Sequence, residues 1–385
     1  MIGGNPAPHI VIGKFDQGTR PRGEAQAGVV KRFDLAASDR LAGELWRLTH
    51  GAGFYVASIV GVIIGQHRMP TPSRPLIARI RNFIGDVVLL IPALERLQHA
   101  GYDLHLVGKP WASSLLEAYG WPVTPYPKGY SARRATLNGV VEPLRALDAG
   151  FASRMNSITF ATSFSSALDM RAAGLKPFGY AVEGRSILLT RSAPIVYGEH
   201  ALESYWRLTS HFLNDPTPPP NAVTLRISTA ADLAAKAALN AAGVKPGYIV
   251  LVPFAGGTFE KLDKKWPHFA ALATALASSG RDIVMAPGPD EIDAARAVCP
   301  TAKLLPKLEL GPYAAVMRDA ALTISNDTGP GHMAASSGGN LLSVLGPTKV
   351  EQWGPRGPRV TFVQRYPEWP SVAMVSERAV SLLAG

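Results

Sequence analysis

Short unbroken apolar runs alternate with segments of helical periodicity along most of the chain. Tyr248 to Pro253, Asp282 to Ala286 and Ala320 to Ser325 each read as a strand buried on both faces, the pattern of a parallel sheet covered by helices. Each run ends in glycine or proline: Phe254-Ala255-Gly256-Gly257-Thr258, Pro287-Gly288-Pro289-Asp290-Glu291 and Asn326-Asp327-Thr328-Gly329-Pro330-Gly331. His332 to Ser337 then reads as the small-residue start of a helix, and Ala230 to Ala242 as an alanine-rich helix leading into the strand at 248. Nearer the N-terminus, residues 76 to 81 read as a strand that runs through Gly85-Asp86 into a helical pattern. Pro92 inside that pattern predicts a kink or a late start to the regular helix.

The turns carry the chemistry. Ser325 to Ala335 places a carboxylate, a hydroxyl, two glycines and an imidazole between a strand and a helix, where backbone N–H groups and the helix dipole converge on an anion. Gly329 and Gly331 let the backbone come close to a ligand, and Pro330 stiffens the turn. The plain alternative is a strand-to-helix turn in which Asp327 or Thr328 caps the helix. After the strand at 248 come Lys261, Lys264 and Lys265, point charges suited to a polyphosphate or else a solvated loop, with Trp266 as a core anchor. Glu291, in the loop after the run at 282–286, is suited to accept hydrogen bonds from a ribose diol. Three strand ends with such loops match the rule that open parallel sheets bind ligands beyond the carboxyl ends of their strands.

The order of Lys264-Lys265-Trp266-Pro267, Pro287 to Glu291, Asn326 to His332 and Leu345-Gly346-Pro347-Thr348 resembles glycosyltransferase family 9, the ADP-heptose:lipopolysaccharide heptosyltransferases. Arg79 to Leu94, with Gly85-Asp86, resembles the family's opening strand, turn and first helix, and 173–190 its middle segment. The resemblance spans about residues 74 to 365. It implies an α/β fold of GT-B architecture, two Rossmann-like domains with parallel sheets facing across a cleft. The acceptor domain would run over 74–240 and the donor domain over 241–385, after an extension at 1–73. The strongest linker signal is the proline run Asn214 to Asn221.

The resemblance also implies roles. Asp86 is the family's general base, taking the proton of an acceptor hydroxyl; its alternative is a helix cap. Lys264 is the phosphate lysine, although a loop longer than the family's usual turn leaves Lys261 and Lys265 as competitors. Thr328, Gly329, Pro330 and Gly331 form the phosphate cradle, Asp327 contacts the sugar or orients the turn, and His332 completes the donor site or else satisfies a backbone carbonyl. The chemistry implied is inverting transfer of a sugar, heptose from ADP-heptose in the family's commonest members, to a lipopolysaccharide-core or related glycan. The chain carries no Asp-x-Asp pair to bridge a metal to a diphosphate, so metal-independent transfer is expected. No Gly-x-Gly-x-x-Gly turn follows the opening strand, so no dinucleotide cofactor is expected either. Two rivals remain: a sugar-nucleotide epimerase of the same build, and a binding module that has lost turnover.

Composition narrows the partners. The chain has 385 residues, long enough for two domains each with its own core. Thirty-nine Lys plus Arg against 29 Asp plus Glu give a net charge of +10. That suits an anionic acceptor or the cytoplasmic leaflet of the inner membrane. Nucleic acid is disfavoured, since the charge is scattered and no basic, aromatic-interleaved stripe occurs. Cys299 is the only cysteine, which excludes an internal disulfide and fits a reducing cytoplasm. The extension reads as unstructured over 1–40, then carries an uncharged run, Gly51 to Gly65, too short to cross a bilayer. Its two readings are an interfacial anchor and a helix packed on the first domain.

Overall fold

The structure, a computed structural model, describes residues 74–256, 258–259 and 262–384. The extension at 1–73 with its apolar run, and Lys261, lie outside the described residues. In the first half, β1 (Arg74–Arg79), α1 (Ile84–His99), β2 (Tyr102–Gly108), α2 (Ala112–Leu115), β3 (Val123–Pro125), α3 (Tyr130–Leu147), β4 (Ser157–Thr159), α4 (Phe164–Ala172), β5 (Pro177–Tyr180), β6 (Arg191–Ala193) and α5 (Ala201–Leu213) follow in turn. Helix α6 (Thr229–Ala241) leads into the second half. There β7 (Ile249–Val252) precedes a small hairpin of β8 (Thr258–Phe259) and β9 (Leu262–Asp263). After it come α7 (Phe269–Ala277), β10 (Ile283–Met285), α8 (Ile292–Val298), β11 (Lys303–Leu304), α9 (Leu310–Asp319), β12 (Leu322–Ser325) and α10 (Gly329–Ser336). The chain closes with β13 (Leu341–Leu345), α11 (Val350–Trp353), β14 (Val360–Gln364) and α12 (Val372–Ala384).

Both six-stranded sheets are fully parallel and share one winding. The first runs β3-β2-β1-β4-β5-β6 and the second β11-β10-β7-β12-β13-β14. In each, the first strand lies at the centre and the chain reverses direction across it, which opens a crevice beyond its carboxyl end. This is the twin-sheet GT-B architecture. The two central strands are largely apolar because helices cover both faces: Leu76, Ile77 and Ala78 of β1 are fully buried, as are Ile249 and Val250 of β7.

The two halves do not keep wholly separate cores. One apolar cluster joins Leu76, Val87 and Leu90 of the first half to Val250, Met333 and Ala334 of the second, while two smaller clusters belong to one half each. The cause is local. Helices α1 and α10 pack directly on one another, and a Cβ added at Gly329 would fall 2.6 Å from Ile84 Cβ. Small residues at the start of α10 therefore let two helices that open at the two crevices meet.

Three details depart from expectation. Helix α1 runs unbroken from Ile84 to His99 with Pro92 inside it, rather than starting late. Helix α10 begins at Gly329, three residues before the expected His332, with Pro330 in its first turn where the missing N–H needs no partner. The long loop after β7 folds on itself as the β8–β9 hairpin. Helix α6 packs on α9 of the second half, and just before it Val223 N–H and Leu225 N–H donate to the carbonyls of Arg356 and Ser336.

A candidate donor and acceptor site between the two sheets

The carboxyl ends of β1, β7, β10 and β12 open on one cavity of about 650 Å³. Asp86, Lys264, Glu291, Asp327, Thr328, Gly329, Pro330 and His332 line it, together with Asn82 to Gly85, Met285, Ala286, Pro287 and the aromatic rings of Trp111, Phe254, Tyr313 and Trp353. Residues as far apart in the chain as Asn82 and Trp353 thus share a site.

Asp86 enters from the first half. It sits three residues into α1, whose cap position is held by Phe83 with no side-chain hydrogen bond, so Asp86 is not the helix cap. Its carboxylate is 8% exposed. The Tyr205 hydroxyl, from α5, donates to Oδ1 at 2.6 Å, and Arg81 Nε lies 3.5 Å from Oδ2.

The donor-side groups come from the second half. Asn326, fully buried, ties its loops together: its Oδ1 accepts the Trp266 N–H at 2.9 Å, and its Nδ2 donates to the Pro253 carbonyl at 2.7 Å. Trp266 is held at its other end by Nε1–H donating to the Pro370 carbonyl at 2.9 Å, and it is 2% exposed, the core anchor expected. These bonds bring Lys264, two residues before Trp266, beside Asp327, one residue after Asn326. Lys264 Nζ lies 2.7 Å from Asp327 Oδ2, and His332 Nε2 lies 3.8 Å from Oδ1. Burial alone would raise the Asp327 pKa; His332 and Lys264 outweigh it and hold the carboxyl at about 2. Asp327 is therefore an anion at any physiological pH, and it keeps the Lys264 ammonium at the cavity wall.

Thr328 occupies the cap position of α10 in an extended conformation, yet its side chain makes no cap bond. Its Oγ1 is buried without a partner, and so is His332 Nδ1. An uncapped helix start beside a free hydroxyl is a place for anion oxygens. Glu291 Oε2 accepts the Gly288 N–H at 2.9 Å, which closes the loop after β10 and fixes that carboxylate at the cavity edge.

Two expected residues stand apart. Lys265 is exposed and does not line the cavity; its backbone N–H donates to Asp263 Oδ1 at 3.0 Å. Gly331 is packed beneath the turn, where a Cβ would meet Ser325 Oγ at 3.1 Å and the Asn326 carbonyl at 3.3 Å. Gly329 and Gly331 thus serve close packing of α10 on its neighbours, besides any approach of backbone to ligand. Sequence reasoning did not reach Tyr205, Asn326 or the aromatic lining. Among the described residues no group of three or more His, Cys, Asp or Glu side chains is placed to hold a metal, and no helix is long and apolar enough to cross a membrane.

The paired crevices and shared cleft define the GT-B class of fold. Residues 156–381 match the family model for glycosyltransferase family 9 (heptosyltransferase), and the chain belongs to that family. A lipopolysaccharide heptosyltransferase 3 from Escherichia coli is 31% identical over 125 residues, 30% of this chain and 36% of the relative, so the match spans about a third of the relative's length. Among solved structures, a family 9 glycosyltransferase from Veillonella parvula aligns over 81% of this chain and 97% of its own with a TM-score of 0.68 at 19% identity. The ADP-heptose lipopolysaccharide heptosyltransferase II of Escherichia coli aligns over 80% and 98% with a TM-score of 0.67 at 18% identity. These two likenesses establish the fold.

Proposed function

We propose that the protein transfers a sugar, heptose from ADP-heptose, to a lipopolysaccharide-core or related glycan, with inversion at the anomeric carbon and without a metal ion. The observation that carries this reading is the single cavity holding a carboxylate from the first sheet opposite a lysine and an open helix start from the second. In a direct displacement the acceptor hydroxyl gives its proton to Asp86 as its oxygen attacks the anomeric carbon. The bond from that carbon to the diphosphate breaks, its electron pair stays on the phosphate oxygen, and the protonated Asp86 later returns the proton to water. Negative charge growing on the leaving phosphate meets Lys264, the Thr328 hydroxyl and the α10 N-terminus, fixed donors that need no reorganisation. These donors would supply the charge neutralisation that a metal ion gives in metal-dependent transfer. Glu291 suits the ribose diol, and the apolar walls at Met285, Ala286 and Pro287 suit a flat base. The domains would divide at about residue 240, with the acceptor on the first and the donor on the second. The reaction is expected in the cytoplasm, against the inner membrane surface.

The relative and the solved heptosyltransferase support the choice of sugar by their own names, and calorimetry tests it. ADP, GDP, UDP and CDP are titrated into the protein in excess EDTA. Selective ADP binding supports the reading, preference for another nucleotide reassigns the donor, and binding that needs added magnesium removes the metal-independent mechanism.

A further inference from the structure

We propose that Tyr205 is a positioning residue for the transfer reaction: its hydroxyl holds Oδ1 of Asp86 and leaves Oδ2 as the oxygen that takes the acceptor's proton. The inference rests on the reading of Asp86 as the base. Tyr205 comes from α5, 119 residues away in sequence, and reaches Asp86 at 2.6 Å, the strongest polar contact that carboxylate makes. Arg81 Nε stands 3.5 Å from Oδ2, too far for a good hydrogen bond, and it has no other partner. One carboxylate oxygen is therefore engaged and the other is lightly held.

The phenol is suited to this and to little else. Burial and the neighbouring Asp86 charge push its pKa well above its ordinary value, against the opposing pull of Arg81, so the hydroxyl remains a donor. The ring is buried in the shared core and meets Phe160 edge-on at 6.2 Å between centroids, which fixes where the phenol oxygen sits. The anchoring extends across the cleft: the cap residue of α5, His200, donates from Nε2 to the carbonyl of Gly354, which follows the cavity residue Trp353. A freely rotating carboxylate would offer either oxygen in many orientations. A fixed one presents a single basic oxygen, and base catalysis depends on that geometry.

The test is a double-mutant cycle of Asp86→Ala and Tyr205→Phe, with ADP-heptose as donor and a heptose-deficient lipopolysaccharide core as acceptor. Asp86→Ala is expected to lower kcat about a hundredfold. Tyr205→Phe is expected to lower kcat about tenfold with ADP affinity within twofold of the parent, as loss of one bond to a charged group implies. In the Asp86→Ala background the second change should add nothing. A Tyr205→Phe effect of equal size in both backgrounds, or no effect in either, overturns the inference and leaves Asp86 as base. Full activity of Asp86→Ala overturns the base assignment and the inference with it.

A measurement independent of turnover reads the same bond. The difference infrared spectrum between the parent and Asp86→Asn isolates the Asp86 carboxylate, and its antisymmetric stretch should shift when Tyr205→Phe is introduced. An unmoved band overturns the proposal. Tyr205→3-fluorotyrosine, which keeps the ring and sharpens the donor, supplies the second variant: it should move that band in the direction opposite to Phe, and no movement counts equally against it.

Discussion

Gly85 and His332 are in direct contact across the two halves: a Cβ at Gly85 would lie 2.7 Å from His332 Cδ2 and 3.0 Å from Nε2. The residue before the candidate base is thus shaped to admit an imidazole from the donor-side turn, and the reciprocal contact sets Gly329 against Ile84. The two glycines let two helix N-termini, one from each crevice, meet at a shared point. Gly85→Ala must displace the imidazole or separate the helices. It is expected to destabilise the protein by about 1–3 kcal/mol, measured as a shift in the urea midpoint, and Gly85→Ala combined with His332→Ala should recover most of that loss. A midpoint unchanged by Gly85→Ala would mean that the contact relaxes without cost.

Lys264 and Asp327 form an ion pair at 2.7 Å. Lys264→Ala removes the cavity's ammonium and strips a nearly buried carboxylate of its partner. ADP affinity is expected to fall by at least about tenfold, turnover to fall further, and stability to drop by roughly 1–3 kcal/mol. Lys265→Ala, on an exposed residue away from the cavity, should leave all three within error. Equal ADP affinity in Lys264→Ala and the parent would move the phosphate contact to Lys261 or Lys265.

Much of this arrangement was legible in the sequence, for identifiable reasons. A parallel sheet writes its strands as unbroken apolar runs, and the turns beyond them sit in the crevice by topology alone, so Asp86, Glu291 and the Asp327–His332 turn were readable from position. Contacts set by packing were not. Tyr205 lies on α5 with Leu208 and Phe212 at helical spacing, and its apolar ring reads as core; only the fold shows that its hydroxyl meets Asp86. Asn326 stands inside a legible motif, but its bonds to Trp266 and Pro253 join three loops that sequence cannot bring together. The glycines illustrate the converse. Sequence explains that Gly329 and Gly331 need space, and only the structure shows that Ile84, Ser325 and Asn326 occupy it.

His200 gives the fold a definite pH dependence. It is 2% exposed; its Nδ1 accepts the Leu202 N–H and its Nε2 donates to the Gly354 carbonyl. Burial lowers the imidazole pKa from 6.5 to about 4, although the Gly354 carbonyl works against that. The unfolded chain binds a proton below 6.5 while the folded protein resists until about 4, so stability falls as pH drops through that window and rises with pH within it. Asp327, lowered from 3.8 to about 2, adds to the loss only below the window. Urea midpoints at pH 7, 5.5 and 4.5 should decline in the parent. They should decline less in His200→Gln, which starts less stable at pH 7; equal slopes would remove His200 as the source.

Thr328 separates a ligand role from a structural one. Its hydroxyl is buried, lines the cavity and has no hydrogen-bond partner within the protein, although the residue sits where a threonine would ordinarily cap α10. A cap removed costs about 1 kcal/mol, whereas an unpartnered buried hydroxyl replaced by a methyl costs nothing and relieves its desolvation. Thr328→Val keeps the shape and removes only the oxygen. Thermal unfolding of the variant is expected at or slightly above the parent temperature, while calorimetry shows ADP affinity lowered about three- to tenfold, one hydrogen bond to a charged phosphate. A variant that melts lower and binds ADP as tightly as the parent would return Thr328 to the helix cap and leave the anion to Lys264 and the backbone alone.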